Sequence, residues 1–342
     1  MVRIAILGAG FMGRGHGDAY LKIEKAEIAA VFDKNEELGH AFAEKYHCAY
    51  YGGFSQMVQE CQFDVVDVCL PTFLHEEYVI RAAESGKHVF CEKPATLGVD
   101  SFDRMTAAVK KAGVQMMVGQ VLRFWPEYVN ARALYKSGEL GVLKYVFAAR
   151  LSEHPAWSSW YRKPENSGGG LWDLHLHDID FIYWMFGRAK SVYATGQQNE
   201  LGCWNHVSSV LTFPSGISAT VQGVIEMEKG YPFTMELRLV GSDKTYEYEM
   251  KAGANLENVA ASKRETRLYD DGKITLMPLD ERDAYGIELE HFVNCIDAGK
   301  ASEVITIEQV RDVLCTMEAI TESLKTGSKM DVNYGDALTL LG

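Results

Sequence analysis

The sequence predicts an N-terminal α/β domain with a doubly wound parallel sheet, followed by an α+β domain with a large open, mainly antiparallel sheet. Two observations lead to this prediction. Apolar strands alternate with helical patterns over residues 1–122, and closely spaced strand patterns followed by two helices fill residues 123–342. The length of 342 residues also exceeds that of one average domain. We therefore predict two domains, 1–122 and 123–342.

The N-terminal elements follow from periodicity, with short apolar runs predicted as strands and amphipathic segments as helices. The predicted strands are Arg3–Leu7, Glu27–Asp33, Val65–Leu70, His88–Cys91 and Gln115–Gly119. The predicted helices are Met12–Lys22, Asn35–Tyr46, Phe54–Gln59, Glu76–Ser85 and Ser101–Ala112. Because the strands are apolar on both faces, a parallel sheet covered by helices on each side is favoured. Right-handed crossovers between such strands produce a Rossmann-type fold.

The C-terminal elements differ from the N-terminal ones, because most predicted strands follow one another with only turn residues between them and no helix. The predicted strands are Lys144–Leu151, Ser191–Gln197, His206–Phe213, Ser218–Glu228, Phe233–Gly241 and Lys244–Met250. The predicted helices are Glu127–Ser137, Leu171–Met185, Gly286–Ala298 and Ile307–Thr326. Turn signals such as Pro214–Gly216 join neighbouring strands, which favours antiparallel pairing.

Composition excludes several classes of function. The chain carries 47 acidic and 34 basic residues, a net charge of −13, which disfavours nucleic acid as a partner. No segment approaches the roughly 20 apolar residues that span a bilayer, so no membrane association is expected. The seven cysteines are scattered without a C-x-x-C pair, which favours reduced thiols and a cytoplasmic location.

A glycine motif directly follows the first predicted strand. Residues 8–13 read Gly-Ala-Gly-Phe-Met-Gly and match the G-x-G-x-x-G pattern of dinucleotide-binding turns. Gly8 permits the tight turn, Gly10 lets the backbone approach the pyrophosphate, and Gly13 allows the helix to pack on the strand. The phosphates are expected at the helix start formed by Phe11 and Met12.

Asp33 supports the same interpretation, because it lies 20 residues after Gly13 at the end of the next strand. An acid there hydrogen-bonds the adenosine ribose and repels a 2′-phosphate, which favours NAD over NADP. Arg14 and Lys34 are nearby cations that leave NADP open. The alternative is a glycine-rich turn in which Asp33 only caps a helix.

Lys93 is the first candidate for chemistry. It belongs to the segment Glu92-Lys93-Pro94, just after the strand His88–Cys91. Since ligands of open α/β sheets bind at the carboxyl ends of the strands, Lys93 is placed to reach a bound substrate or cofactor. Pro94 restricts Lys93 to extended geometry. A lysine in this position is otherwise usually a solvated surface residue.

The second candidate is the polar cluster that follows Gly168–Gly170. Asp173 and His177 are i,i+4 neighbours on a helix, and a carboxylate beside an imidazole can raise its basicity as a general base requires. An ordinary helix-stabilising pair is the alternative. His175 and His177 point to nearly opposite sides at about 100° per residue, so no metal site is expected.

These motifs together resemble the Gfo/Idh/MocA family of sugar and cyclitol oxidoreductases over nearly the whole chain. The resemblance is carried by the glycine motif and five further elements: Pro71-Thr72 with His75, Glu92-Lys93-Pro94, Arg123-Phe124 with Pro126, Gly168–Gly170, and Asp173 with His177. His175 departs from the family pattern, where many relatives carry a small residue. In such proteins the C-terminal sheet commonly mediates oligomerisation, so a homodimer or homotetramer is expected.

The resemblance implies a role for each matching residue. Lys93 would hydrogen-bond the reacting oxygen, His177 would move the hydroxyl proton, and Asp173 would orient His177. The residues expected at the cofactor are Gly8, Gly10, Phe11, Met12, Gly13, Asp33, Pro71, Thr72, His75, Glu92 and Lys93. The residues expected at the substrate are Lys93, Arg123, Trp160, His175 and His177. Aromatic and basic residues before the glycines, among them His154, Trp157, Trp160, Tyr161 and Arg162, are candidates for a pocket wall or for an interface.

The leading hypothesis is an NAD-dependent dehydrogenase that acts on a secondary hydroxyl of a sugar, glycoside or inositol-like polyol. A second hypothesis is an enzyme that retains and recycles NAD with no net redox change, as in epimerisation or in glycoside cleavage by oxidation and elimination. A third is a non-catalytic, dinucleotide-binding regulator. Lys93, Asp173 and His177 argue against the third hypothesis.

Overall fold

The chain forms two compact units, each built from two segments. The computed structural model describes residues 1–154, 160–253, 262–278 and 280–335, with the backbone only for Tyr161. The first unit comprises Met1–Phe124 and Arg282–Arg311, and the second comprises Trp125–Glu281 and Asp312–Gly342. The prediction of two continuous domains, 1–122 and 123–342, did not include the return of the chain to the first unit. The physical reason for that return is apolar burial: Phe292 is 1% exposed, and its ring lies 5.5 Å from that of Phe90.

The first unit contains a parallel sheet with the strand order of a dinucleotide-binding fold. Over the described residues its six strands run in the order β3-β2-β1-β4-β5-β6, and all pairs are parallel. The strands are β1 Val2–Leu7, β2 Ala26–Phe32, β3 Ala49–Tyr51, β4 Val65–Val68, β5 His88–Cys91 and β6 Met116–Val118. The helices are α1 Phe11–Tyr20, α2 Glu36–Tyr46, α3 Phe54–Glu60, α4 His75–Glu84 and α5 Val99–Ala112, joined by the returning helix α9 Ala284–Asp297. The predicted Rossmann fold is confirmed; strand β3 was not predicted.

The second unit contains the large open sheet. Its strands are β7 Leu143–Glu153, β8 Ser191–Gln198, β9 Trp204–Thr212, β10 Ser218–Met227, β11 Phe233–Gly241, β12 Lys244–Ala252, β13 Lys263–Asp270, β14 Lys273–Leu276 and β15 Met330–Asp331. In the part of the chain that is described, the order is β14-β13-β12-β11-β7-β10-β9-β8-β15. The sheet is mainly antiparallel, as predicted, but β7 and β10 pair in parallel. This pairing places β7 between β10 and β11, which are distant from it in sequence.

The described part of the second unit also contains helices. They are α6 Pro126–Lys136, α7 Pro164–Ser167 and α8 Leu176–Phe186; α10, Ile307–Thr326, begins in the first unit and continues into the second. The predicted helix Leu171–Met185 is not uniformly α-helical, because Leu171–His175 form a π-helical turn before α8 begins. Strands β13, β14 and β15 were not predicted. β13 is mostly polar, and β14 and β15 are only four and two residues long. Among the described helices, none is both long and apolar enough to cross a membrane.

Candidate active site

The glycines of residues 8–13 form a tight cradle between β1 and α1. Gly8 has φ +101°, and a Cβ added there would lie 2.6 Å from the Cys69 carbonyl oxygen. A Cβ on Gly13 would lie 1.8 Å from the Gly8 carbonyl oxygen, so no larger residue fits. A Cβ on Gly10 would meet nothing within 4 Å. The backbone is thus packed at Gly8 and Gly13 and open at Gly10, where a pyrophosphate needs room.

Asp33 is fixed beside this cradle by two backbone amides. The Ala9 amide donates to Asp33 Oδ2 at 2.8 Å, and the Asn35 amide donates to Asp33 Oδ1 at 2.8 Å. The carboxylate therefore joins the end of β2 to the glycine turn. A carboxylate oxygen has two lone pairs, so each still has capacity for a ribose hydroxyl.

A dinucleotide fits the residues that are present. The open backbone at Gly10 precedes the start of α1, where Gly10 offers no side-chain cap to the helix amides. Exposed helix amides favour phosphate, and the fixed Asp33 carboxylate suits the ribose hydroxyls. A bound nicotinamide dinucleotide would be held by these groups and would supply a hydride carrier.

The segment after β4 borders the same switch point, because β4 pairs with β1. Thr72 begins a short 3-10 helix and is buried, and Pro71 is half-buried. His75 is 1% exposed, with its ring nitrogens 2.9 Å from the Pro94 carbonyl oxygen and 2.7 Å from that of Leu70. Burial lowers the pKa of His75, so the neutral ring donates one of these bonds at a time. His75 thus ties two loops together, and its role as a direct cofactor contact stays a prediction.

Lys93 lies half-buried just after β5, where the sequence predicted it. The preceding Glu92 is 5% exposed and its Oε2 accepts the Lys93 amide at 3.0 Å. Its other oxygen, Oε1, lies 3.1 Å from Nε2 of His16. Burial raises the pKa of Glu92, but the hydrogen bond and charge of His16 outweigh it, and the pKa is lowered overall. Glu92 is therefore a buried carboxylate that supports Lys93.

His16 is a buried residue of this site that sequence analysis missed. Its Nδ1 lies 2.8 Å from Asp67 Oδ2, and the Cys69 thiol donates to Asp67 Oδ1 at 3.4 Å. His16, Asp67 and Cys69 bring their ligand-type atoms within 4.8 Å of one another, a geometry that can hold a metal ion. The absence of a metal stays a prediction. The signal in the sequence was Asp67 itself, an acid within an apolar strand that requires a buried partner.

Arg123 connects the end of the first segment to the returning segment of the first unit. Its side chain is 2% exposed. The guanidinium donates to the Val304 carbonyl oxygen at 2.8 Å and to the Gln309 side chain. Arg123 therefore binds the returning segment 282–311, and its role at the substrate stays a prediction.

In the second unit, Gly168–Gly170 pack directly on the sheet. A Cβ on Gly169 would lie 2.8 Å from Cys203 Cβ, and one on Gly170 would lie 2.7 Å from Ile225 Cγ2. The Gly170 amide donates to Asn205 Oδ1 at 2.8 Å. The glycines therefore serve close approach of backbone to strands β9 and β10, which fixes the start of the following helix.

Asp173 and His177 follow within one helical segment but in different kinds of turn. Asp173 is half-buried in the π turn, and His177 is 8% exposed in the first turn of α8. A π turn contains more residues than an α turn, so their relation is not that of a regular i,i+4 pair. Their predicted cooperation as base and orienting carboxylate stays a prediction.

His175 packs against the sheet and away from solvent. Its ring is fully buried, its Nε2 lies 2.8 Å from Ser209 Oγ, and a Cβ on Gly223 would lie 2.9 Å from its Nδ1. Burial lowers the pKa of His175 to about 3, so the ring is neutral. The ring thus lies between helix and sheet, and its predicted contact with the substrate stays a prediction.

Asp178, next to His177, forms a buried ion pair that the sequence did not reveal. Its Oδ2 accepts from Arg150 Nε at 3.1 Å and its Oδ1 from Arg150 Nη2 at 3.3 Å. Burial raises the pKa of Asp178, and the charge of Arg150 opposes this effect. The pair joins α8 to β7 directly beside His177. Only the fold brings these two residues together, since 28 positions separate them.

A cavity of about 380 Å³ lies in the second unit near the glycine segment. It is lined by His154, Arg162, Asn199, Glu200, Leu201 and Glu226. Glu226 Oε1 accepts from Asn199 at 2.9 Å and from Asn205 at 2.8 Å, which connects the cavity wall to Gly170. The residues from His154 to Arg162 were predicted to form either a pocket wall or an interface, and His154 and Arg162 line this cavity. Trp160 is half-buried, and Trp157 and the Tyr161 side chain lie outside the described residues.

Comparison with known proteins identifies relatives of both units. The chain is 28% identical to D-xylose 1-dehydrogenase (NADP(+)) 2 of Haloferax volcanii, over 96% of this chain and 99% of that protein. It is 34% identical to the 2,7-anhydro-N-acetylneuraminate hydratase of Mediterraneibacter gnavus, over 57% of this chain and 52% of that protein. Its fold is similar to that of levoglucosan dehydrogenase in complex with NADH and levoglucosan, with a TM-score of 0.81, 22% identity and coverage of 97% and 99% of the two chains.

Family models match both parts of the chain. Residues 2–120 match the model described as the oxidoreductase family, NAD-binding Rossmann fold, and residues 128–247 match the GFO/IDH/MocA C-terminal domain. Together they cover more than half of the sequence, and the predicted NAD-binding Rossmann domain is confirmed. The chain therefore belongs to the Gfo/Idh/MocA family of oxidoreductases.

Proposed function

We propose that the protein is an NAD-dependent dehydrogenase that oxidises a secondary hydroxyl of a sugar, glycoside or inositol-like polyol. The proposal is carried by one observation: the switch point of the parallel sheet holds a glycine cradle, a fixed Asp33 carboxylate and, after β5, the supported Lys93. The names of the xylose and levoglucosan dehydrogenases support a CH–OH donor as the substrate class.

Each proposed catalytic residue has one task. Lys93 donates a hydrogen bond to the reacting oxygen, and His177 accepts the hydroxyl proton, with Asp173 favouring the protonated imidazole. A bound nicotinamide dinucleotide, held by the Gly8–Gly13 cradle and Asp33, would supply the acceptor for the hydride of the substrate's carbon–hydrogen bond. The oxygen–hydrogen bond breaks as its proton passes to His177, and a carbonyl forms. Charge and atoms balance, since NAD⁺ takes two electrons and one hydrogen.

Lys93→Ala and His177→Ala test these roles. We expect each variant to bind NADH, followed by its fluorescence, while turnover falls by about 10²–10⁴-fold. The substrates are a panel of D-xylose, D-glucose, levoglucosan, myo-inositol and scyllo-inositol, with reduced cofactor detected by absorbance. Exposed Lys111 and His40 provide matched controls, Lys111→Ala and His40→Ala, which should retain full turnover. Near-normal turnover in both active-site variants would contradict the proposal.

We also propose that NAD is preferred to NADP. The Asp33 carboxylate is held by the Ala9 amide, so it cannot easily swing away from a 2′-phosphate. The name of the Haloferax relative specifies NADP, so the two cofactors need to be compared directly on this protein. Measuring kcat/KM with both cofactors decides the question: a preference for NADP would overturn the assignment.

The second candidate function is redox-neutral chemistry with retained NAD. It is favoured by the relative named as a hydratase, since a net hydration consumes no cofactor. Stoichiometry separates the two functions. A dehydrogenase releases one NADH per product molecule, whereas a recycling enzyme converts substrate with no net accumulation of NADH.

We propose that the oligomer, a homodimer or homotetramer, assembles through the open sheet of the second unit. Tyr193 is 44% exposed and Val210 is 38% exposed. Tyr193 pairs with Val210, Val210 with Thr220, and Thr220 with Phe147, so these residues share one face across four strands. An exposed row of apolar side chains of this kind is typical of a contact surface.

A further inference from the structure

The buried ring of His16 connects two carboxylates that come from different strands. His16 is fully buried on α1, and its two ring nitrogens lie 2.8 Å from Asp67 Oδ2 and 3.1 Å from Glu92 Oε1. Asp67 lies within β4, and Glu92 follows β5. The imidazole thus spans two neighbouring strands beneath the segment that carries Lys93.

Every polar atom of the two carboxylates has a donor. Asp67 Oδ1 accepts from the Cys69 thiol at 3.4 Å, and Glu92 Oε2 accepts from the Lys93 amide at 3.0 Å. Both ring nitrogens of His16 face carboxylate oxygens, and ionised carboxylates only accept. Two such bonds require two N–H groups, which only the imidazolium form has. The Cys69 Sγ also lies 3.3 Å from His16 Nδ1, and with its thiol directed to Asp67 Oδ1 the contacts describe a cation between two anions.

We propose that His16 is a positioning residue of the hydride-transfer site, whose ring holds Glu92 in place and through Glu92 holds the Lys93 backbone. The proposal rests on the role of Lys93 under the proposed function. The connection runs from the His16 ring to Glu92 Oε1, and from Glu92 Oε2 to the Lys93 amide.

Besides His16, the charge of Lys93 also favours the ionised form of Glu92, whereas the other neighbours described here are uncharged. Phe90 contacts the His16 ring edge-on at 5.6 Å, and a Cβ on Gly119 would lie 3.2 Å from Glu92 Oε1. Both neighbours limit space and carry no charge. Without His16, Glu92 would lie buried beside Asp67 with no cation between them, and electrostatic repulsion would move the segment.

His16→Gln tests the proposal, with His40→Gln on the surface of α2 as the matched control. We expect His16→Gln to bind NADH as the unmodified protein does and to lose turnover on the order of tenfold, because small displacements of a catalytic group have large effects. In a Lys93→Ala background, adding His16→Gln should cost no further turnover in single-turnover measurements. An equal loss in both backgrounds would contradict action through Lys93.

Two measurements on the cofactor-free protein are independent of catalysis. The first is the nitrogen-15 spectrum of the protein labelled at histidine, in which the His16 signals are identified because they are absent from His16→Gln. These signals should show an imidazolium at pH 8. The second is hydrogen exchange: the Lys93 amide should exchange with deuterium faster in His16→Gln than in the unmodified protein. A neutral ring, or unchanged exchange at Lys93, would overturn the proposal. If His16→Gln does not fold, the double variant His16→Asn with Glu92→Gln removes both charges and is measured instead.

The outcomes separate the two proposals. Near-normal turnover in both Lys93→Ala and His177→Ala contradicts the proposed function, while the spectra and the amide exchange still decide whether His16 fixes Glu92. Loss of turnover in Lys93→Ala together with full turnover in His16→Gln contradicts the positioning role alone.

Discussion

Buried charged side chains in each unit are paired with partners from distant parts of the chain. His16 meets Asp67 across 51 positions, and Arg150 meets Asp178 across 28. A buried charge without a partner is strongly destabilising, so these pairs restrict which arrangements of helix and strand the chain adopts. Both pairs adjoin a proposed catalytic residue, Lys93 or His177.

The His16 pair predicts how stability depends on pH. Burial lowers the pKa of His16, but the charges of Asp67 and Cys69 and the hydrogen bonds to both residues together outweigh it, and the pKa is raised well above its usual value. The stabilisation is therefore full below the unfolded pKa of about 6.5 and is lost as pH rises through the higher folded pKa. From pH 6.5 upward, the free energy of unfolding should fall more steeply than in His16→Gln, by up to about 1.4 kcal/mol per pH unit. Urea unfolding measures both slopes.

Other titratable groups lie around His16, and their protonation also affects how stability depends on pH. They are Asp67, Cys69, Glu92, Tyr20 and, from α9, Glu288 and Tyr285. Burial raises the pKa of the Cys69 thiol and of the Tyr20 hydroxyl, so both stay neutral over this range. The pKa of Glu92 is lowered, so its contribution is present above about 4.5 and is lost only in acid. Equal slopes above pH 6.5 would contradict the imidazolium assignment.

The Arg150–Asp178 pair predicts a large effect on stability. Arg150→Met leaves the Asp178 carboxylate buried without its cation and should lower the free energy of unfolding by about 3–5 kcal/mol. Adding Asp178→Leu removes the unpaired charge and should restore a large part of this loss. The exposed pair of Arg81 and Glu77 is the control, where Glu77→Gln should cost less than about 1 kcal/mol. Chemical denaturation compares all four proteins.

At the scale of elements, the glycine segment lets helix and sheet approach each other closely. The chain passes from α7 over β9 and β10 into the π turn, and the Gly170 amide is satisfied by Asn205 of β9. The segment thus sets the position at which Asp173 and His177 begin their helix. A regular α-helix from Leu171 was predicted, because sequence periodicity does not resolve a single π turn.

Gly170→Ala tests this close approach. Gly170 has φ −59°, which alanine also adopts, so any effect is steric. The added Cβ would meet Ile225 Cγ2 at 2.7 Å, and we expect a loss of about 1–3 kcal/mol in unfolding free energy. Ile225→Ala in the same protein removes the clash and should reduce that difference. Gly15→Ala, where a Cβ meets nothing within 4 Å, should not destabilise; a neutral Gly170→Ala would argue against the packing described.

At the scale of the whole molecule, the open sheet presents one face to α8 and the other outward. On the outward face Tyr145 stacks near Phe147, with ring centroids 6.5 Å apart, and Arg238 lies 5.8 Å from the Phe147 ring. The mixture of aromatic and charged side chains is typical of interfaces between protein chains.

Tyr193→Lys combined with Val210→Lys tests assembly through this face. We expect light scattering after size exclusion to show a smaller species than the unmodified protein, because two buried cations disfavour an apolar interface. The matched control is Leu38→Lys in the first unit, where the Leu38 side chain is 41% exposed. This variant should have the same mass in solution as the unmodified protein. An unchanged mass in the double variant would place the interface elsewhere.

The sequence predicted the parts of the site that lie in local patterns. Gly8, Gly10 and Gly13 with Asp33 occur at fixed spacing after recognisable strands, and Lys93 follows a clear strand end. Contacts that only the fold creates were missed. The hydrogen bonds of Arg123 to Val304 and of His175 to Ser209 join residues far apart in sequence, and neither was predicted.

The amino-acid sequence by itself determined the family, the Rossmann fold, the dinucleotide motif and the candidate catalytic residues, because each is encoded by residues close together along the chain. Tertiary structure alone decided which polar residues are buried, the parallel pairing of β7 with β10, the return of residues 282–311 to the first unit, and the bridge from His16 to Asp67 and Glu92. These features depend on contacts between segments far apart in sequence, and periodicity carries no information about such contacts.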